Sequence, residues 1–137
     1  MRLSTRSRYG TRLMQDLAQH YDKGPVRIAE IARRQDMPVK YLEQLIIPLK
    51  RGNFIKSVRG PKGGHMLARP PEEITVGQIV KALESRVELV GCIENPSECE
   101  RSGKCLTRGI WEAVSNAMYD KLNSITLSKM LEMEKGI

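Results

Sequence analysis

Tyr9, Leu13 and Leu17, with Met14, Ala18 and Tyr21 beside them, recur every three or four positions, and Gly24-Pro25 closes the run. This spacing predicts an amphipathic first helix over about residues 5–21. A second helix is expected over residues 26–35, with Ile28, Ile31 and Ala32 facing inward. A third begins near Pro38, which a first helical turn tolerates because its missing N–H has no intrahelical partner there. Tyr41, Leu42, Leu45 and Leu49 supply its apolar stripe, and Gly52-Asn53 ends it. Pro48 removes a backbone donor and disfavours helical geometry at Ile47, so a kink or an early end is expected in the last turn.

The period then changes. Residues 54–59 and 65–68 are short strand-like runs around Gly60-Pro61-Lys62-Gly63-Gly64, which predicts a hairpin with a flexible basic tip. Arg69-Pro70-Pro71 marks a boundary, and Val76, Ile79, Val80 and Leu83 outline a short fourth helix. Residues 91–105 form a polar loop holding all three cysteines. Leu106, Ile110, Val114, Ala117 or Met118, Leu122 and Ile125 then mark a long helix, and Thr126 caps a final short one through Leu127, Met130 and Leu131. Three helices followed by a hairpin is the order of a winged helix-turn-helix. Ala32 allows close helix contact, Asp36 takes the left-handed position of the turn, and Leu42 and Leu45 pack back on the first two helices. The fold class expected is mainly α with a small β-hairpin wing. Residues 1–75 form the winged helix-turn-helix and 76–137 the cysteine loop and long helix, packed as one compact chain.

Composition narrows the function. A chain of 137 residues with 40% hydrophobic and 28% charged residues suits one globular domain and excludes a large multidomain enzyme. No apolar run approaches the roughly 20 residues that cross a bilayer, and the amino terminus lacks a signal peptide's apolar segment, so a cytoplasmic location without membrane partners is expected. The net charge of +7 divides unevenly: residues 1–70 carry 15 Lys+Arg against 5 Asp+Glu (+10), and residues 71–137 carry 8 against 11 (−3). A basic half of this kind meets a polyanion. On the third helix Lys40, Glu43 and Gln44 face base edges or phosphates and Tyr41 offers its hydroxyl to a phosphate, while Arg59 and Lys62 on the wing reach a minor groove. Arg2, Arg6 and Arg8 add phosphate contacts. Aromatic residues at 4% argue against single-stranded RNA, which is usually held on aromatic platforms.

Cys92, Cys99 and Cys105 follow the spacing C-x6-C-x5-C among charged neighbours, with Gly91, Pro96 and Gly103 as bends. The odd count disfavours a disulfide framework, although a redox-sensing disulfide stays open. The spacing matches no common zinc finger, and three sulfurs with a weak or missing fourth ligand suit an iron–sulfur cluster at least as well as structural zinc. No Ser/His/Asp arrangement, phosphate loop or paired-carboxylate site is evident, so an enzyme is not expected. Trp111 is expected to be a core anchor near the loop.

MRLSTRSRYG, YLEQL, SVRGPKGG, the three-cysteine loop and CLTRGIW together resemble the IscR-type regulators, with their NsrR-like and RirA-like relatives, over nearly the whole chain. The resemblance implies a homodimeric transcription regulator that binds a palindromic double-stranded operator. Its long helix holds the dimer, and its cysteine loop carries an iron–sulfur cluster, [2Fe–2S] favoured over [4Fe–4S], that controls DNA affinity. It also implies DNA contacts at Lys40, Tyr41, Glu43, Gln44 and Arg59, and cluster ligation by Cys92, Cys99 and Cys105. One departure is chemical. The family's fourth ligand is a histidine in CLTH, and here the motif is CLTR: Arg108 is always protonated and cannot ligate iron. In NsrR-like relatives an aspartate near the amino terminus serves, and the matching residue here is Arg8. The fourth ligand is left open among His20, Glu98, a partner carboxylate, water and a small thiol. The alternative function is a zinc-bound or cluster-free regulator acting by a thiol switch or by binding an enzyme partner, as in cysteine-metabolism control.

Overall fold

Ser4 accepts a hydrogen bond from the Ser7 N–H at 3.2 Å and so starts helix α1, Thr5–Gln19. The computed structural model describes residues 3–84 and 91–136. Helices α2 (Ile28–Gln35) and α3 (Val39–Arg51) follow, then strands β1 (Ile55–Val58) and β2 (Gly64–Leu67), and helix α4 (Val76–Leu83). A short helix α5 (Gly91–Glu94) and a 3-10 turn (Pro96–Glu98) lead into α6 (Leu106–Asn123) and α7 (Leu127–Lys135). The fold is mainly helical with a two-stranded antiparallel hairpin, as the periodicities predict.

The helix-turn-helix is closed by backbone chemistry. Asp36 sits at φ 53, ψ 54, the left-handed conformation expected of it, and the Ala32 carbonyl accepts from the Asp36 and Met37 N–H groups. Leu42 and Leu45 are fully buried against Leu13, Leu17 and Ile31 in one core that also takes in Ile55, Leu67, Ile74, Ile79 and Leu127. Thr75 and Gln78 form a reciprocal capping box at the start of α4, both bonds being 3.0 Å, and Thr126 caps α7 through the Lys129 N–H. α4 packs on α1 and α6, and α7 packs on α1.

Several local expectations are corrected. α1 stops at Gln19 because His20 and Tyr21 turn back onto the Leu17 and Ala18 carbonyls. α2 begins at Ile28, since Val26 is extended and pairs with His65 of the wing through two 2.8 Å backbone bonds. α3 does not end early at Pro48: buried Ile46 and Leu49 hold the last turn on the core, and the helix runs to Arg51. α6 ends at Asn123, and Ile125 lies beyond it, its N–H on the Leu122 carbonyl. Trp111 is 42% exposed and is no core anchor. The 91–105 segment contains a helical turn and a 3-10 turn where only loop was expected.

The wing is pinned where it meets the start of α2. Gly64 has φ +156, and a Cβ there would come within 2.4 Å of the Val26 carbonyl oxygen, which is backbone and cannot swing away. Gly64→Ala is therefore expected to cost about 2 kcal/mol, the scale of overpacking a tight site, measured as a lower urea midpoint.

Candidate nucleic-acid interface and cysteine loop

α3 turns Leu42, Leu45, Ile46 and Leu49 inward, which leaves Lys40, Glu43 and Gln44 exposed on the opposite side, as expected. The wing presents Arg59 and Lys62 exposed near its tip, where Gly60 adopts φ +111 and the Gly63 N–H closes the turn on the Gly60 carbonyl. Arg27 donates to the Pro61 carbonyl, so the tip is tied to the start of α2 as well as through Val26. This anchoring was not foreseen, because Val26 and Arg27 read as the first turn of a helix. Wing and α3 are electrostatically coupled: burial, then the charge of Lys50, pushes the His65 pKa below its ordinary value, while Glu43 opposes the shift.

Tyr41 stands differently from the other predicted contacts. Its ring meets Tyr9 edge-on with centroids 5.7 Å apart, and its hydroxyl is buried without a hydrogen-bond partner. The hydroxyl is thus turned away from solvent, where a phosphate contact needs it. Arg6 and Arg8 are exposed on the first turns of α1, and Arg2 lies outside the described residues. Two exposed apolar residues of α3, Ile47 on its outward side and Val39 at the edge of that side, gave no signal in the sequence, because exposed apolar positions do not stand out beside a helical stripe.

An ion pair between the buried Asp16 of α1 and the partly exposed Arg34 of α2 ties the helix-turn-helix to α1. The Asp16 carboxylate, with no exposed surface, accepts two bonds from Arg34 at 2.8 and 3.0 Å and one from Gln35 at 3.1 Å. Burial alone raises its pKa; the bonds from Arg34 and Gln35 and the charges of Arg34 and His20 outweigh this and hold the carboxyl below its ordinary value.

Cys99 is exposed and Cys92 and Cys105 are half-buried, all as free thiols. Cys105 stands at the N-cap of α6 with its Sγ 3.1 Å from the Thr107 hydroxyl. That hydrogen bond, the backbone N–H groups of Arg108 and Thr107 and the charge of Arg101 lower its pKa against a small opposing effect of burial, which favours the thiolate that a soft metal takes as ligand. Arg108 donates through Nε to the Cys92 carbonyl at 3.1 Å and pairs with Glu112 at 3.4 Å, bridging the first cysteine's backbone to α6. Among the described residues, no three His, Cys, Asp or Glu side chains are grouped closely enough to hold a metal. The donor types suit a thiophilic metal or cluster, but the loop has to close to bring the sulfurs together. Of the candidate fourth ligands, His20 has its Nδ1 2.8 Å from the Asp16 carbonyl oxygen, and Glu98 lies in the loop itself.

Among the described residues, no helix is long and apolar enough to cross a membrane. Residues 3–133 match the Rrf2 family model, described as iron-dependent transcriptional regulators. The chain is 47% identical over 131 residues to the Rrf2 protein of Nitratidesulfovibrio vulgaris, covering 96% of this chain and 87% of that one. It superimposes on the solved IscR of T. potens with a TM-score of 0.80 at 39% identity, covering 98% of this chain and 88% of the other. CymR (YrzC), the global cysteine regulator of B. subtilis, aligns with a TM-score of 0.80 at 32% identity over 97% of this chain and 98% of its own. With its winged helix-turn-helix and its family match over nearly the whole length, the chain belongs to the Rrf2 family of transcriptional regulators.

Proposed function

We propose that the chain acts in the cytoplasm as a homodimeric, sequence-specific DNA-binding regulator whose cysteine loop senses iron–sulfur status, iron, oxygen or nitric oxide. The observation that carries this reading is the joint presentation of Lys40, Glu43 and Gln44 on α3 with Arg59 and Lys62 on an anchored wing, in a half-chain of net charge +10. In this reading α3 enters the major groove: Gln44 pairs with adenine, Glu43 accepts from cytosine, and Lys40 bonds guanine or a phosphate. Arg59 and Lys62 follow the backbone into the neighbouring minor groove. Tyr41 joins them only on a change of side-chain rotamer about χ1 that lifts its ring off Tyr9 and brings the buried hydroxyl to the surface.

Cys92, Cys99 and Cys105 would hold the cluster, [2Fe–2S] favoured. When bound, the cluster supplies a redox-active, oxidant-labile group. The chain's own part is to order the 91–105 segment on the amino end of α6, where Arg108 already joins Cys92 to that helix. Ordering at that point biases how two α6 helices meet, and hence the spacing of two recognition helices. A cluster-free thiol switch is the second reading, favoured by three free thiols that are not grouped and by the likeness to CymR.

Selection from a randomised duplex library tests the DNA reading. A palindrome with half-sites one helical turn or a multiple apart is expected, and a selection that does not converge contradicts it. Gln44→Ala should relax preference at one position per half-site by about 1–3 kcal/mol; unchanged preference removes Gln44 from base readout.

A further inference from the structure

Val39 and Ile47 are 38% and 57% exposed on α3. Val39, Glu43 and Ile47 are each four residues apart and form one row of the helix, and Ile47 is also three residues beyond Gln44. Ile47 thus lies between Glu43 and Gln44 on the side away from buried Leu42, Leu45, Ile46 and Leu49, and Val39 stands one turn before Glu43 at the edge of that face. A single exposed aliphatic residue needs no explanation. Two β-branched ones bracketing Glu43 and Gln44 along the helix, at positions where branching lowers helix propensity, keep 38% and 57% of their surface exposed.

We propose that Ile47 and Val39 read thymine methyl groups in the major groove, adding apolar base readout to an otherwise polar recognition face. The proposal rests on the DNA-binding reading above. The thymine C5-methyl is the apolar group that a base pair displays in that groove. Stiff branched side chains meet it with little loss of rotamer freedom. The occupant is DNA rather than a second copy of this face, because pairing two such faces brings together two half-chains of +10, whereas a polyanion complements them.

The test uses the full chain and the duplex it selects from the randomised library, with each thymine replaced singly by deoxyuridine, which lacks only the methyl group. For the unmodified protein, loss of one contacted methyl should weaken binding about fourfold at one thymine per half-site for Ile47 and at another for Val39, the worth of one methyl withdrawn from water. Ile47→Ala should abolish the sensitivity at its thymine alone, and Val39→Ala at the other, with melting temperatures unchanged. A flat deoxyuridine profile in the unmodified protein overturns the proposal while leaving DNA binding standing. So does an Ile47→Ala protein that keeps the full deoxyuridine profile. A selection that never converges overturns the DNA reading and this proposal together.

Discussion

A protein carrying Ile110→Glu and Val114→Glu is expected to stay folded, to run as a monomer, and to bind its selected duplex about 100-fold more weakly or worse, because two linked half-site contacts become independent. Leu106, Ile110 and Val114 are spaced four residues apart on α6 and are 90%, 54% and 46% exposed, with Trp111 beside them. An apolar stripe of that kind at the amino end of a helix is costly in water and marks an interface. The other side of α6 is already occupied: Ser115 is buried, and Asn123 approaches so closely that a Cβ on Gly77 would lie 2.4 Å from its Oδ1. Asn123 also accepts from the Thr75 hydroxyl at 2.8 Å. The substitutions therefore touch the uncovered stripe and leave the attachment to α4 in place. Sedimentation velocity with fluorescence anisotropy decides the matter: an unmodified protein that is itself monomeric, or a monomeric variant with full affinity, contradicts the dimer.

Asp16→Asn is the substitution expected to cost most stability, about 2–4 kcal/mol, or a melting temperature lower by roughly 10 °C. It leaves the Arg34 guanidinium with only the exposed Glu30 carboxylate, 3.8 Å away, as counter-ion, and Arg34, 29% exposed, recovers part of its hydration, which keeps the loss toward the low end. The pH dependence carries the sign. Because the folded carboxyl titrates below its ordinary value of 3.8, its contribution is present above that value and is lost as the pH falls through the lower folded one. Acid titration of stability should therefore be flatter in Asp16→Asn than in the parent. Glu84 titrates in the same direction: against burial, it accepts from the Ser7 and Ser4 hydroxyls and the Ser4 N–H, so part of the acid sensitivity survives the substitution. Equal thermal stability of parent and variant at pH 7 removes the ion pair as a fold lock.

What was legible in the sequence followed how local the governing physics is. Thr75 and Thr126 cap helices through groups three residues away, and Asp36 takes the left-handed turn because its own side chain tolerates it. Pro48 defeated the local rule because the core contacts of Ile46 and Leu49 outweigh one missing hydrogen bond. Val26 defeated it too, since its partner His65 lies in a strand that helical periodicity does not see. For the site, spacing placed Lys40, Glu43 and Gln44 outward and Tyr41 in the apolar stripe, where its ring packs on Tyr9, but the phosphate contact expected of the Tyr41 hydroxyl does not fit that packing, since the hydroxyl is buried. Trp111 shows the same limit: period identifies an apolar stripe and says nothing about whether this chain or a second one covers it. Cys92, Cys99 and Cys105 are close in sequence, but convergence depends on backbone that only a bound group has reason to organise.

The most direct test of the account is anaerobic purification of the full chain, followed by visible absorption, metal and sulfide analysis, and affinity for the selected duplex before and after exposure to air. A coloured protein is expected, with iron and acid-labile sulfide in equal amounts, both lost in Cys92→Ser, Cys99→Ser and Cys105→Ser. Air exposure is expected to change duplex affinity by about tenfold, within the usual range of coupling between two sites. A colourless protein holding zinc, or no metal after anaerobic reconstitution, with duplex affinity indifferent to air, would contradict cluster sensing.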